Sequence, residues 1–283
     1  MLNQVALVAQ TKKIEFSDLT TAAAAIQKQV SRDVGPIWNI NASVDAFASL
    51  EDVPLGYWHV LIDDTIPYDA QGIHLNEDNG QPFALIAYSE DWSLTTSHES
   101  IEMLVDPSGN RTAAANSPDP SQGRVLILLE ACDPSEAAKY GYTSNGVLVS
   151  DFYTPHFFDP VAARNVRYSF TGAITKPLEV LDGGYVSWWD PVTKHVFQQF
   201  VTGTKKKVED KGPLPKGFGT LRSFADSFTN KLRMQLKKAP PKGSMLTAAA
   251  TGMKVTHSKV DASQKAYADT LRAQIEAIKK AKK

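Results

Sequence analysis

Apolar and polar positions alternate along this chain in segments whose periods change from place to place, and those periods predict the elements. Val5-Ala6-Leu7-Val8 is a short unbroken apolar run of strand type, and Leu19, Ala22, Ala23, Ile26 and Val30 recur at helical spacing between Ser17 and Asp33. Gly35-Pro36 is expected to stop that helix. Val44 to Ala48, Tyr57 to Ile62 and Pro82 to Tyr88 read as strands, the last following the turn signal Asn76-Glu77-Asp78-Asn79-Gly80. A second helix is expected from about Trp92 to Val105, ended by Asp106-Pro107. The order strand, helix, three strands, helix implies a mixed sheet backed by helices.

Beyond Asp106 the pattern loosens. Asp106 to Gly123 is rich in Pro, Gly, Asn and Ser and reads as loop, and Arg124 to Leu129 forms a buried-strand run that ends on Glu130. Gly146 to Ser150 and Gly184 to Trp189 are further strand candidates of a less regular lower half. Tyr185, Trp188 and Trp189 would make either a binding wall or a hairpin packed on the core. Two helical stripes follow, Phe218-Leu221-Phe224-Phe228-Leu232 and Tyr267-Leu271-Ile275-Ile278, joined by the linker Ala239-Pro240-Pro241-Lys242-Gly243-Ser244.

Composition adds one informative fact. Over 283 residues the net charge is only −1, yet residues 201–283 carry 19 Lys+Arg against 6 Asp+Glu, so an acidic body bears a basic tail. The chain therefore divides into a domain over 1–200 and a basic, partly helical extension over 201–283. That extension could bind nucleic acid, an acidic partner, another subunit in a homo-oligomer or assembly, or the acidic body itself. A 42% hydrophobic content with 22% charged excludes wholesale disorder, and the single Cys132, read as a small buried hydrophobe, excludes a disulfide scaffold. No apolar run reaches membrane-spanning length and no signal peptide is recognised, so a cytoplasmic location or a phage particle is expected.

Chemistry concentrates in Ser97-His98-Glu99-Ser100-Ile101-Glu102. At about 100° per residue His98 and Glu102 share one helix face, one turn apart, beside the apolar stripe of Leu94, Ile101, Leu104 and Val105. Such a pair supplies half a metal site, with Glu99 placed to act as a general base on a water activated by the ion. The bland reading makes Glu99 and Glu102 solvated charges, with Thr96 and Glu99 as a capping box.

This segment resembles the active-site helix of the zincin metalloproteases, in a His-Glu-x-x-Glu variant where Glu102 replaces the second histidine. The resemblance covers roughly residues 1–107, since zincins also place a backing helix after the first strand and the metal helix after the sheet. The wider phrase around Asp106-Pro107 and Gly109-Asn110-Arg111 is similar to uncharacterised zincin-like proteins of bacteria and their phages. The resemblance implies an α+β zincin-like fold. It also implies a metal-dependent peptidase acting on a peptide or protein substrate, with Glu99 as base and His98 and Glu102 as ligands. Glu130 is the first choice of third ligand and His156 the second, while Asp106 or Asp133 could serve; Tyr153 or His156 could stabilise an oxyanion.

The resemblance implies zinc, while two carboxylates with one imidazole would put about −2 of charge around the ion, and those harder oxygen ligands admit manganese, calcium or magnesium. The rival reading is a catalytically silent zincin-like structural protein, such as a phage particle component, with the tail used for assembly. Outside this helix, Glu130 could instead be a buried acid paired with Arg124 or Arg167, and His74, before the turn next to the expected edge strand, could line a substrate cleft but is expected on the surface.

Overall fold

A computed structural model describes residues 2–77, 79–215, 220–226 and 262–281. The first half is a five-stranded sheet in the order β2-β1-β3-β5-β4, built from β1 (Asn3–Ala9), β2 (Ala42–Phe47), β3 (Trp58–Asp63), β4 (Gly72–Asn76) and β5 (Pro82–Ala87). β1 runs parallel to β2 and β3, β3 runs parallel to β5, and β4 is antiparallel to β5 at the edge. The protein is thus mixed α+β, with several sheets and a few helices.

Strand β1 explains how the layers form. Its central residues Val5, Ala6, Leu7 and Val8 are all buried, so both faces of the sheet must be covered, as parallel strands require. Val5, Leu7, Val60, Ile62 and Ile86 meet α1 (Phe16–Lys28) and α3 (Trp92–Val105) on one face. Ala6, Val8, Leu61, Phe83 and Leu85 lie on the other, under Ala268, Leu271 and Ile275 of α5 (Ala262–Ala281). The second of the two expected tail stripes therefore completes the first sheet's core. Arg272 of α5 also pairs with Glu51 of the body at 2.5 Å. Of the first stripe, Phe218, Phe228 and Leu232 lie outside the described residues.

The stop expected at Gly35-Pro36 does not occur. α1 widens into a π-helical stretch, Gln29–Val34, and continues as α2 (Gly35–Trp38), which ends on Asn39 in the left-handed conformation. Pro36 falls in a first turn, where its missing N–H costs nothing. Gly35 is required because a Cβ there would sit 2.7 Å from the Ile40 carbonyl oxygen and 3.0 Å from that of Val30.

The lower half holds a second, antiparallel sheet ordered β12-β11-β10-β7-β6, from β6 (Thr112–Asn116), β7 (Arg124–Leu128), β10 (Tyr185–Trp189), β11 (His195–Thr202) and β12 (Lys205–Pro213). A small hairpin joins β8 (Tyr142–Ser144) to β9 (Val147–Val149). The Lys205-Lys206-Lys207 run, expected at the start of the extension, opens β12 and pairs with β11. Trp188 is fully buried and stacks on Phe197 at 5.8 Å, so the aromatic run is a core hairpin and not a binding wall. α4 (residues 221–226) then packs Phe224 and Ala225 on Leu128 and Val196.

Every residue of α3 is buried. Met103 and Leu104 face the first sheet, while Ile101 and Val105 join Leu129, Ala131 and Cys132 of the lower half. The helix is sandwiched, and its polar residues therefore point into the interior.

Candidate metal centre

The helix supplies His98, Glu99 and Glu102, all buried and none solvated. Thr96 is no cap: it lies inside the helix, with its hydroxyl donating to the Trp92 carbonyl at 2.7 Å. His98 Nε2 lies 3.2 Å from Glu102 Oε2 and 3.3 Å from Asp133 Oδ1. The Cys132 backbone N–H donates to Glu102 Oε1 at 3.0 Å, which fixes both oxygens of that carboxylate.

His74 joins this group from β4, correcting the expectation that it lies on the surface: it is only 3% exposed. Its Nδ1 is 3.3 Å from Glu99 Oε2 and 4.0 Å from Glu102 Oε2. Its Nε2 is buried with no hydrogen-bond partner among the described residues, and the same holds for Glu130 Oε1. The other oxygen of Glu130 accepts from Arg222 Nε at 3.0 Å, so its cationic partner is neither Arg124 nor Arg167. Arg222, on α4, also reaches Glu99 Oε2 at 3.7 Å and Asp226 Oδ2 at 3.6 Å, and donates from Nη1 to the His74 carbonyl oxygen.

Donor atoms lying within 4.8 Å of one another form three trios: His74 with Glu102 and Glu130, His98 with Glu102 and Cys132, and His98 with Asp133 and Glu136. Of the expected ligands, His98 and Glu102 share one trio and Glu102 and Glu130 share another, so Glu102 is common to both arrangements. These buried His, Glu and Cys groups are able to hold a metal ion. His156 is not brought to them; its ring is exposed and pairs with Asp159 at 2.9 Å. Asp106 is likewise turned away, accepting from the backbone N–H groups of Asn110 and Arg111 at 3.3 and 3.0 Å. Tyr153 is fully buried beside the acids, its hydroxyl without a partner among the described residues.

The electrostatics follow from burying five acids with few cations. Burial together with the Arg222 charge holds the His74 imidazole far below its usual range, and so neutral. Burial opposes charge on His98 as well, but Glu102 and Asp133 outweigh it and keep the imidazolium. Glu102 is correspondingly held down by His98 and Arg222 against its burial. Glu130 is pushed well up by burial and by its neighbours Glu102, Asp133 and Asp226, despite the Arg222 contact. Burial and the Glu130 and Glu102 charges raise the Tyr153 phenol, which stays a donor.

Sequence reasoning offered His74 only as a cleft-lining or surface residue and missed Arg222. The segment Gly72-Ile73-His74-Leu75-Asn76 carries too little periodicity to mark an edge strand, and Arg222 stands 92 residues from Glu130. The tail's opposite charge was the one available signal for the second. No family model matches the chain, and neither the curated proteins nor the solved structures contain a match to it.

Proposed function

We propose that this chain is a metal-dependent peptidase of zincin-like element order whose ion is held by His74, Glu102 and Glu130. His74 stands in place of the expected His98, whose ring lies between Glu102 and Asp133 and keeps its charge. The observation that carries the reading is the pair of orphaned buried atoms, His74 Nε2 and Glu130 Oε1, on side chains whose donors converge with Glu102. Leaving such atoms unpaired costs about 1–3 kcal/mol each, and a cation that reached both would remove that cost. One imidazole with two carboxylates suits zinc and admits manganese, calcium or magnesium.

The chain's own residues take distinct parts. Glu99 accepts from His74 Nδ1–H, which fixes the neutral tautomer that leaves Nε2 free. Its other oxygen packs against Gly72 of β4, and in the proposed reaction this carboxylate takes a proton from water. His98 and the Cys132 N–H hold Glu102 from its two oxygens. Tyr153 supplies a buried hydroxyl donor for developing negative charge. A divalent ion seated among these groups would supply Lewis acidity and a water made more acidic.

A peptide substrate is supported by β4. Its odd positions pair with β5, since Gln71 O accepts from Ala87 N at 2.7 Å and Glu77 N donates to Gln81 O at 2.8 Å. Gly72, His74 and Asn76 therefore direct backbone groups to the sheet edge, where an extended peptide would add as a further strand by displacing Arg222 from the His74 carbonyl and Gln274 from that of Asn76. The element order further supports the zincin-like reading, with a helix after the first strand and the metal helix after the last strand of the sheet.

The Arg222 ion pairs favour a second reading, a silent scaffold in which a guanidinium replaces the ion. Zinc analysis and peptide hydrolysis separate the two, using wild type, His74→Ala, Glu102→Gln and Glu99→Gln. The peptidase predicts zinc near one per chain, lost in the first two variants, weakened about 10- to 100-fold in the third, and hydrolysis absent from all three. Zinc without hydrolysis in wild type leaves a scaffold. Equal zinc in all four proteins discards the ligand assignment.

A further inference from the structure

Arg222 does more than neutralise an acid. Its guanidinium reaches Glu130, a ligand of the ion in the reading above, at 3.0 Å and Glu99 at 3.7 Å, and it also donates to the outward-facing carbonyl of His74. The same group therefore stands beside the ion's seat and on the sheet edge where a peptide strand would bind. A guanidinium and a divalent cation beside one buried carboxylate repel each other strongly in an interior of low dielectric. A peptide strand and Arg222 compete for the same acceptor.

We propose that Arg222, carried on α4, is an internal plug that closes this centre, and that binding of a divalent ion requires α4 to withdraw. The inference rests on the metal-centre reading. The attachment of α4 is suited to such a movement. Besides the contacts of the Arg222 side chain, its anchors include Arg222 N to Gly109 O at 3.2 Å, Leu221 N to Asn110 Oδ1 at 2.9 Å, Gln198 Nε2 to Ala225 O at 3.1 Å, and the packing of Phe224 and Ala225 on Leu128 and Val196. These bonds go to a loop and to a side chain, and none of them belongs to a strand pairing. The apparent affinity of a closed site is lowered by the fraction of molecules that are open.

The test is zinc titration of the full chain by calorimetry, with hydrogen exchange over residues 220–226, for wild type, Arg222→Met, Arg222→Lys and the double variant His74→Ala/Arg222→Met. If about one molecule in ten or fewer is open, Arg222→Met binds zinc at least about tenfold more tightly than wild type. Arg222→Lys, which keeps the charge, gains less, and the double variant loses binding. Zinc also speeds exchange over 220–226 in wild type. Equal affinities in wild type and Arg222→Met, or zinc binding that leaves 220–226 as protected as before, overturn the plug while the metal centre stands. Absence of zinc binding from wild type and Arg222→Met alike overturns the centre itself. Should Arg222→Met fail to fold, Phe224→Ser loosens α4 from Leu128 and Val196 without touching the acids, and must give the same gain; an unchanged affinity there refutes the plug.

Discussion

Gly72 is the point where β4 and α3 meet, and replacing it with alanine tests the seat of the whole centre. An added Cβ would lie 2.6 Å from Glu99 Oε1, 2.7 Å from Thr95 Cγ2 and 2.8 Å from Glu99 Cγ. None of these atoms is free to swing away. Thr95 is β-branched on a buried helix and so stiff at χ1, while Glu99 is held by His74 at 3.3 Å and neighbours Arg222 at 3.7 Å. Relief therefore requires α3 to shift from β4, and overpacking of this kind costs about 1–3 kcal/mol. Removing a glycine from the unfolded chain returns about 0.4–1 kcal/mol, leaving a net loss of about 1–2 kcal/mol.

The variant is expected to unfold at a lower urea midpoint with an unchanged slope. Movement of Glu99 away from His74 Nδ1 should also weaken zinc binding by about 10-fold or more. Gly123→Ala is the control, because nothing lies within 4 Å of its added Cβ. A Gly72→Ala protein matching Gly123→Ala in both midpoint and zinc affinity would refute the close seating of α3 on β4, and with it the joint placement of His74 and Glu99.

Other outcomes follow from the same structure. Cys132→Ser should leave zinc affinity within about threefold of wild type, because the proposed ligands are His74, Glu102 and Glu130; a large loss in a titration would move the ion to the His98-Glu102-Cys132 trio. Leu271→Ala, at a fully buried position of α5, should cost about 2–5 kcal/mol and raise hydrogen exchange along that helix before the rest of the protein. His59 is fully buried under Tyr267, both ring nitrogens lack partners among the described residues, and burial lowers its pKa to about 4. Its neutral form is the one the fold accommodates, so its contribution is complete above the unfolded value of about 6.5 and is lost as pH falls toward 4, amounting to about 3 kcal/mol. His59→Leu should remove that part of the acid sensitivity in urea titrations between those pH values, and an unaltered pH slope would contradict it.

Much of the first half was legible because it obeys local rules. The helix over Trp92–Val105 was marked by its apolar stripe and by Asp106-Pro107, and the parallel strands by unbroken apolar runs. The pairing of His98 with Glu102 followed from helical spacing alone. What was illegible depends on tertiary pairing. β4 is a strand because β5 offers it a partner, and its parity, which sends the Gly72 and His74 backbone groups outward, exists only in that pairing. Gly35-Pro36 reads as a helix stop in sequence, yet the π-helical stretch before it lets proline occupy a first turn.

The basic tail was legible only as a set of alternatives. Its charge left open an outside partner or the acidic body itself, and two of its arginines are paired with that body. Arg272 pairs with Glu51 at 2.5 Å, while Arg222 is buried among acids contributed by α3, by the segment after β7 and by α4 itself. A buried carboxylate such as Glu130 has three ways to lose its charge: a proton, an internal cation or an external one. Its raised pKa favours the first, Arg222 supplies the second, and Oε1, which has no hydrogen-bond partner among the described residues, leaves room for the third. If the centre were only a structural ion pair, Arg222 would make the remaining donors superfluous, and an apolar residue at position 74 would pack at lower cost. An imidazole held there against Glu99 is therefore the feature that the proposed metal centre accounts for and a plain ion pair does not.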